Sequence, residues 1–287
     1  MLEDGAAGTR NGSLDVYACS DGLQKVASAV SADSSILDVR FVRPGLLASA
    51  HSTGKVCFWR ATGGAAPALE LVHTTPVADP DVLALSVTFA PGHMAVTLSS
   101  GVVRVYAMEA VPGPATAVAE HAHELEAWTA AFAPAGSAER VLSGGDDGVL
   151  LAHAVATDTP LWRTGRAQHG AGVTAILPLA DNVLWTGSYD EQLRVWTGAG
   201  RPVLAQSLGL GGGVWRLVPD GRGRVLACCM HGGARILAGP PTEPAVVATI
   251  VDGHESMVYG GDWAADGALV ATCSFYDRKL NVWRVVY

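Results

Sequence analysis

The chain has 287 residues, 49% of them hydrophobic and 16% charged, which supplies a sizeable core and argues against disorder over most of its length. A net charge of −8 disfavours non-specific nucleic-acid binding through phosphate neutralisation and suits a basic or cationic partner. No apolar stretch reaches the roughly 18 residues of a membrane-spanning helix, and no basic segment followed by an apolar run opens the chain, so a soluble cytoplasmic protein without membrane contact is expected.

Glycine (34) and proline (15) are scattered throughout, while Val, Trp, Tyr and Thr recur in short runs bounded by turn residues, a pattern that predicts an all-β chain. After residues 1–12, read as flexible, Leu14-Asp-Val-Tyr17 and Val26–Val30 read as the third and fourth strands of a blade. Six units follow, with first strands beginning near Ile36, Val82, Glu126, Val173, Val214 and Val258. In each, a second apolar run and a tight turn lead to a third run that ends in a large side chain: Trp59, Tyr106, His153, Trp196, Leu237 and Trp283. Self-similarity at about 40 to 45 residues is the mark of a propeller. The expectation is one β-propeller domain over residues 1–287, with six clear units and seven blades, one of them incomplete; six blades is the alternative. Thr62–Pro67 and Ala110–Ala117 read as connections. The five cysteines form no C-x-x-C pair and are expected as buried, reduced thiols, and no metal site is expected.

The fourth unit, Trp185-Thr-Gly-Ser-Tyr-Asp-Glu-Gln-Leu-Arg-Val-Trp196, resembles the second and third strands of a WD-repeat blade. That resemblance implies a structural tetrad of His169, Ser188, Asp190 and Trp196, and a second of His254, Ser274, Asp277 and Trp283. The Trp-Asp dipeptide that names the repeat is missing everywhere, so the likeness rests on period and pattern.

Two regions carry more polar and aromatic residues than blades require: Gly211–Leu217 with Leu226–His231, and Asp252–Trp263 with Ala271–Asp277. Aligning Leu237 with Trp196 puts His231 where Asp190 sits, so a titratable imidazole replaces a structural carboxylate on a turn. In a propeller the loop into the first strand and the turn between second and third strands emerge on one face. His231, Ser256, Tyr259, Tyr189, Tyr276, Trp215 and Trp128 are therefore expected around one mouth, with Asp262 facing the channel or bonding a neighbouring amide.

Together, Gly-Gly-Gly-Val-Trp-Arg-Leu, Ala-Cys-Cys-Met-His, His-Glu-Ser-Met-Val-Tyr-Gly-Gly-Asp-Trp, Cys-Ser-Phe-Tyr-Asp and Thr-Gly-Ser-Tyr-Asp resemble the diphthine methyltransferase family, the methylesterases of diphthamide biosynthesis. The resemblance implies hydrolysis of the methyl ester on methylated diphthine of elongation factor 2, by a cytoplasmic monomer without a cofactor. Ester hydrolysis needs a base, a nucleophile or water, and donors for the oxyanion. His231 is assigned as base, Ser256 as nucleophile or donor, and Tyr259 as oxyanion donor. Trp215, Tyr189, Tyr276 and Trp128, with Asp262, would hold the substrate's trimethylammonium group. No G-x-S-x-G elbow occurs. The competing reading is a non-catalytic WD-repeat scaffold that binds protein across the same face.

Overall fold

The computed structural model describes residues 2–3, 10–19, 22–64 and 67–285. Among them lie seven antiparallel sheets, five four-stranded and two three-stranded, and one helical turn, Arg166–Gln168. The chain divides into two compact units: Met1–Ala130 with Val155–Asp158, and Ala131–Ala154 with Thr159–Tyr287.

In the first unit, the strands Ile36–Arg43, Leu46–His51, Lys55–Thr62 and Ala68–Pro76 form the first repeat, and Ala84–Ala90, His93–Leu98, Val102–Met108 and Ala115–Ala122 the second. Their shared core holds Phe58, Met94, Val87 and Leu46. The expected flexible segment is partly described, because Leu2–Glu3 pairs with Asn11 and Arg10; residues 1 and 4–9 of it lie outside the described residues, as do 65–66 of the expected Thr62–Pro67 connection.

The second unit takes in the third to sixth repeats. The third contributes Arg140–Gly145, Leu150–Ala154 and Thr159–Arg163, and its first strand, Ala127–Ala133, carries the boundary between the units. The fourth is Val173–Pro178, Val183–Ser188, Gln192–Thr197 and Val203–Gly209. The fifth is Arg216–Pro219, Arg224–Cys228, Ala234–Ala238 and Ala245–Ile250, and the sixth has three strands, Val258–Trp263, Leu269–Ser274 and Leu280–Arg284.

One irregularity recurs with the repeat. The pairing of third and fourth strands slips by one residue just before the bulky side chain, at Phe58/Trp59, Val105/Tyr106, Ala152/His153, Val195/Trp196 and Ile236/Leu237. Such a bulge bends a strand and increases its twist, so these are one structural device used repeatedly. The pair Arg10–Cys19 and Leu23–Ser31 slips in the same way at Val16/Tyr17, which marks it as the third and fourth strands of a blade.

In the second unit the cores lie between successive repeats. Val195, Leu193, Val214 and Leu237 join the fourth to the fifth, and Leu226, Ile236, Val258 and Val270 the fifth to the sixth. The first strand of one repeat, or the segment leading into it, presses on the second strand of the repeat before it: a Cβ at Gly187 would come within 2.5 Å of Val214 Cγ1, and one at Gly144 equally close to Val173 Cγ1. Glycine is needed there for close approach. Of the five cysteines, Cys57, Cys228 and Cys229 are buried and unpaired as expected, whereas Cys19 and Cys273 are exposed.

Candidate functional site

The two expected tetrads differ from expectation in one partner. In the fourth repeat Trp196 Nε1 donates to Thr186 Oγ1 (2.8 Å), which also meets His169 Nε2 (2.9 Å). Ser188 is not in that chain, since its hydroxyl donates to the Ala171 carbonyl (3.1 Å). Thr186 and Ser188 are two apart on one strand and share a face, and only the inner hydroxyl reaches the indole. Asp190 ties the turn down instead: it accepts from Gly170 N (2.6 Å), Gln192 N (3.1 Å) and both Nη atoms of Arg194 (2.9 and 2.6 Å). Burial raises the Asp190 pKa, but the bonds from Arg194 and the two amides outweigh this and hold it below the usual carboxylate value.

The sixth repeat has a longer relay. Trp283 Nε1 donates to Thr272 Oγ1 (2.8 Å), Thr272 meets His254 Nε2 (2.7 Å), His254 Nδ1 meets Ser274 Oγ (2.6 Å), and Ser274 donates to Asp277 (2.5 Å). Here all four expected residues join, with Thr272 as the missing fifth. His254 is occupied at both nitrogens, which suits a structural role.

The fifth repeat has no such relay. Leu210, Ala227 and Leu237 stand where His169, Thr186 and Trp196 do in the fourth, and all three are buried in one apolar cluster. Its turn is shaped by backbone packing. A Cβ at Gly212 would lie 2.0 Å from the Cys229 carbonyl oxygen, and one at Gly232 would lie 2.5 Å from the Gly211 oxygen, so the run Gly211–Gly213 and the turn Cys229–Gly233 interlock with no room for side chains. This close approach also moves the first strand, expected from Val214, so that it begins at Arg216. Met230, at φ +45°, exchanges both backbone hydrogen bonds with Val258 (3.2 and 3.0 Å), fastening the turn to the first strand of the sixth repeat. His231 follows at the tip, exposed. Arg235, four residues on like Arg194, finds no carboxylate and donates to the Gly232 (2.6 Å) and Ala234 (3.1 Å) carbonyls.

Around this turn runs an unbroken series of aromatic rings. Tyr189 lies 5.5 Å from Trp215, Trp215 lies 5.0 Å from Tyr259 edge to face, Tyr259 lies 5.9 Å from Phe275, and Phe275 lies 5.0 Å from Tyr276. Three repeats contribute to it through equivalent turns and first-strand approaches. Burial first, then Tyr259 and Asp146, push the Tyr189 pKa up to about 12; burial, then Tyr276, raises that of Tyr259. Both phenols are therefore protonated donors at neutral pH. Tyr259 OH donates to Met257 Sδ (3.3 Å), a weak acceptor that a stronger one can replace. Ser256 Oγ accepts from Tyr276 N (3.1 Å).

Of the expected site residues, Tyr189, Trp215, Tyr259 and Tyr276 are thus brought together, with Ser256 bonded to the Tyr276 backbone and His231 next to the Met230–Val258 bridge. Trp128 lies in the first unit, half-buried on Ala127–Ala133. Asp262 is exposed on the first strand of the sixth repeat and accepts the following amide, Trp263 N (2.8 Å), so it takes the local-bonding alternative. Phe275, Met257 and Asp146 were not singled out by sequence; Phe275 sat inside a motif already marked, so the signal was present. Among the described residues no group of three or more His, Cys, Asp or Glu could hold a metal, and no helix is long and apolar enough to cross a membrane.

Residues 245–284 match the family model "WD domain, G-beta repeat". A chain of the mitotic checkpoint complex superposes with a TM-score of 0.72, covering 90% of this chain and 78% of that one at 18% identity, and with the repeated sheets this makes the fold an all-β WD-repeat β-propeller. The diphthine methyltransferase of Schizosaccharomyces pombe is 32% identical over 96% of this chain and 86% of its own length. The chain belongs to the diphthine methyltransferase family. Its Saccharomyces cerevisiae member is 28% identical over 98% of this chain, and the human diphthine methyltransferase is 36% identical over 50% of it. The name these relatives share supports a role in diphthamide biosynthesis.

Proposed function

We propose that the chain hydrolyses the methyl ester of methylated diphthine on elongation factor 2, acting as a cytoplasmic monomer without a cofactor. The observation that carries this reading is His231: an exposed imidazole at the tip of a turn whose neighbouring residue, Met230, is bridged to Val258, and free of the relay duties of His169 and His254. His231 takes a proton from water as the water oxygen attacks the ester carbonyl carbon. The negative oxygen that forms accepts from Tyr259 O–H, released from Met257, and from the Ser256 hydroxyl, whose own proton is not used in accepting from Tyr276 N. The C–OCH3 bond then breaks, methanol leaves with the proton held by His231, and the carboxylic acid that remains gives up its proton to solvent to become a carboxylate.

Water is preferred to Ser256 as nucleophile because the nearest imidazole in sequence, His254, is committed to Thr272 and Ser274. The trimethylammonium group lies against Trp215 and Tyr189, whose rings are 5.5 Å apart, where ring faces attract a cation. Asp262, turned to its own backbone, is left out of this arrangement.

Mass spectrometry of elongation factor 2 bearing methylated diphthine tests the proposal. Incubation with the protein should remove one methyl group and release methanol, and a folded His231→Ala variant should not. A methyl group found on an acceptor instead of in methanol would mean transfer, the reaction in the relatives' names. No change with folded protein would leave a binding propeller.

A further inference from the structure

We infer that the turn Phe275–Arg278 is the surface on which the protein substrate docks, and that it receives a basic segment of that substrate through the exposed face of Tyr276. The inference rests on the proposed function for the identity of the substrate, and on geometry for the surface.

Tyr276 is 72% exposed and Phe275 45%, an unusual amount of ring for a turn to present to water. The turn is nevertheless tightly held. Phe275 N donates to the Met257 carbonyl (3.2 Å), Tyr276 N to Ser256 Oγ (3.1 Å), and Glu255 N to Asp277 Oδ2 (2.7 Å), while Ser274 bonds Asp277 from the end of the relay that starts at Trp283. The relay ties this blade together, but that does not call for two uncovered rings at the relay's outer end. Rings fixed in place before binding lose little freedom when a partner covers them, which is how aromatic residues come to dominate contact surfaces.

The rings also lead inward without a break, from Tyr276 through Phe275 and Tyr259 to Trp215. A side chain reaching Trp215 along this path therefore brings its own backbone past Tyr276. Charge selects the kind of segment. The chain carries −8 overall, and Asp252, Glu255 and Asp277 stand on this loop and turn against Arg278 and Lys279, with Lys279 already paired to Glu255 (2.7 Å). Lysine or arginine side chains stacking on Tyr276 gain a cation–π contact and meet a net negative neighbourhood.

The test measures binding of elongation factor 2 bearing methylated diphthine to the full chain in a His231→Ala background, so that turnover does not intervene. Tyr276→Ala should raise Kd about tenfold and Tyr276→Phe should restore most of it, with thermal unfolding confirming that both variants fold. Kd should also weaken as salt is raised. Unchanged affinity in Tyr276→Ala, or affinity indifferent to salt, overturns the inference. Tight, Tyr276-dependent binding by a wild-type chain that releases no methanol would keep the docking surface and remove the esterase.

Discussion

The fourth and fifth repeats are two versions of one blade, and the contrast between their turns separates scaffold from site. In the fourth, a buried polar relay joins Trp196, Thr186 and His169, and a separate carboxylate fixes the turn through Gly170, Gln192 and Arg194. In the fifth, leucines and an alanine fill the relay's place, the turn is held by interlocked glycines, and the residue at its tip is left without a structural task. The blade keeps its shape in both cases, because burial of Leu210 and Leu237 supplies the cohesion that the relay supplies elsewhere. Removing one structural device made room for a titratable one.

The sharpest way to break this comparison is to delete the tip residue in each. His231→Ala should cost about 10²- to 10⁴-fold in the rate of ester hydrolysis, the usual yield of a positioned general base, and shift stability by under about 0.5 kcal/mol because the side chain is exposed. Asp190→Ala should do the reverse, lowering the melting temperature while leaving the chemistry of His231 in place. Rate assays and thermal denaturation on both variants decide it; an unstable His231→Ala would show that the fifth turn also has a structural task.

Next in size is the relay itself. Thr186→Val keeps the shape of the side chain but leaves the Trp196 N–H and one His169 nitrogen unpaired in a buried site, at about 1–3 kcal/mol for each group stranded. Chemical denaturation should find a loss of about 3 kcal/mol. The matched change in the fifth repeat, Ala227→Thr, should also destabilise, since it puts a hydroxyl among Leu210, Leu237 and Cys229 with no partner waiting. If Ala227→Thr is neutral, the apolar cluster is not the substitute for the relay that it is taken to be.

The relay also gives the two repeats different responses to acid. Burial first, then Arg194, lower the His169 pKa to about 4, whereas the unfolded chain takes up that proton near 6.5. Acid therefore favours unfolding: the stabilisation is complete above about pH 6.5 and is lost as pH falls toward 4, an effect of about 2–3 kcal/mol. His51 in the first repeat, also lowered to about 4, by burial and then Lys55, adds a loss of the same sign. Melting temperature followed from pH 7.5 to 5 should fall, and His169→Gln should flatten part of that fall. The fifth repeat, with Leu210 in that position, contributes nothing to it.

How far these contrasts were legible in sequence depends on what a single strand can encode. The six third strands announced themselves by their terminal bulky residues, and even the N-terminal pair was assigned its place, because period and apolar patterning survive without the Trp-Asp signature. The substitution of His231 for Asp190 was readable once Leu237 was aligned with Trp196. The relay hydroxyls were not: Thr186 and Ser188 both face inward, and only three-dimensional reach selects between them. Nor could spacing show that Phe275 bridges Tyr259 to Tyr276, since that contact joins a turn to the strand of a different hairpin, or that the Tyr259 hydroxyl folds back on Met257 two residues before it. Asp146 reaches Tyr189 from the neighbouring third repeat, a relation between blades that alignment of repeats to one another does not reveal.

The smallest effect on stability is that of a graft that would turn the fifth turn into the fourth. His231→Asp puts a carboxylate four residues before Arg235, the spacing of Asp190 and Arg194, whose side chains are paired at 2.6 Å and only 16% and 10% exposed. Arg235 must first leave the Gly232 and Ala234 carbonyls, so the new ion pair replaces two hydrogen bonds instead of adding to them. The net gain should be under about 1 kcal/mol, read as a rise of a few degrees at most in melting temperature and lost in high salt. Ester hydrolysis should drop as far as in His231→Ala, because a carboxylate with an arginine partner is a weak base near neutral pH. A variant that became more stable and inactive would show that the two turns are interchangeable as structure and differ only in what the tip residue can do. A variant that lost stability would place the difference in the glycine-locked backbone, which would then have no room for the ion pair that its sequence position invites.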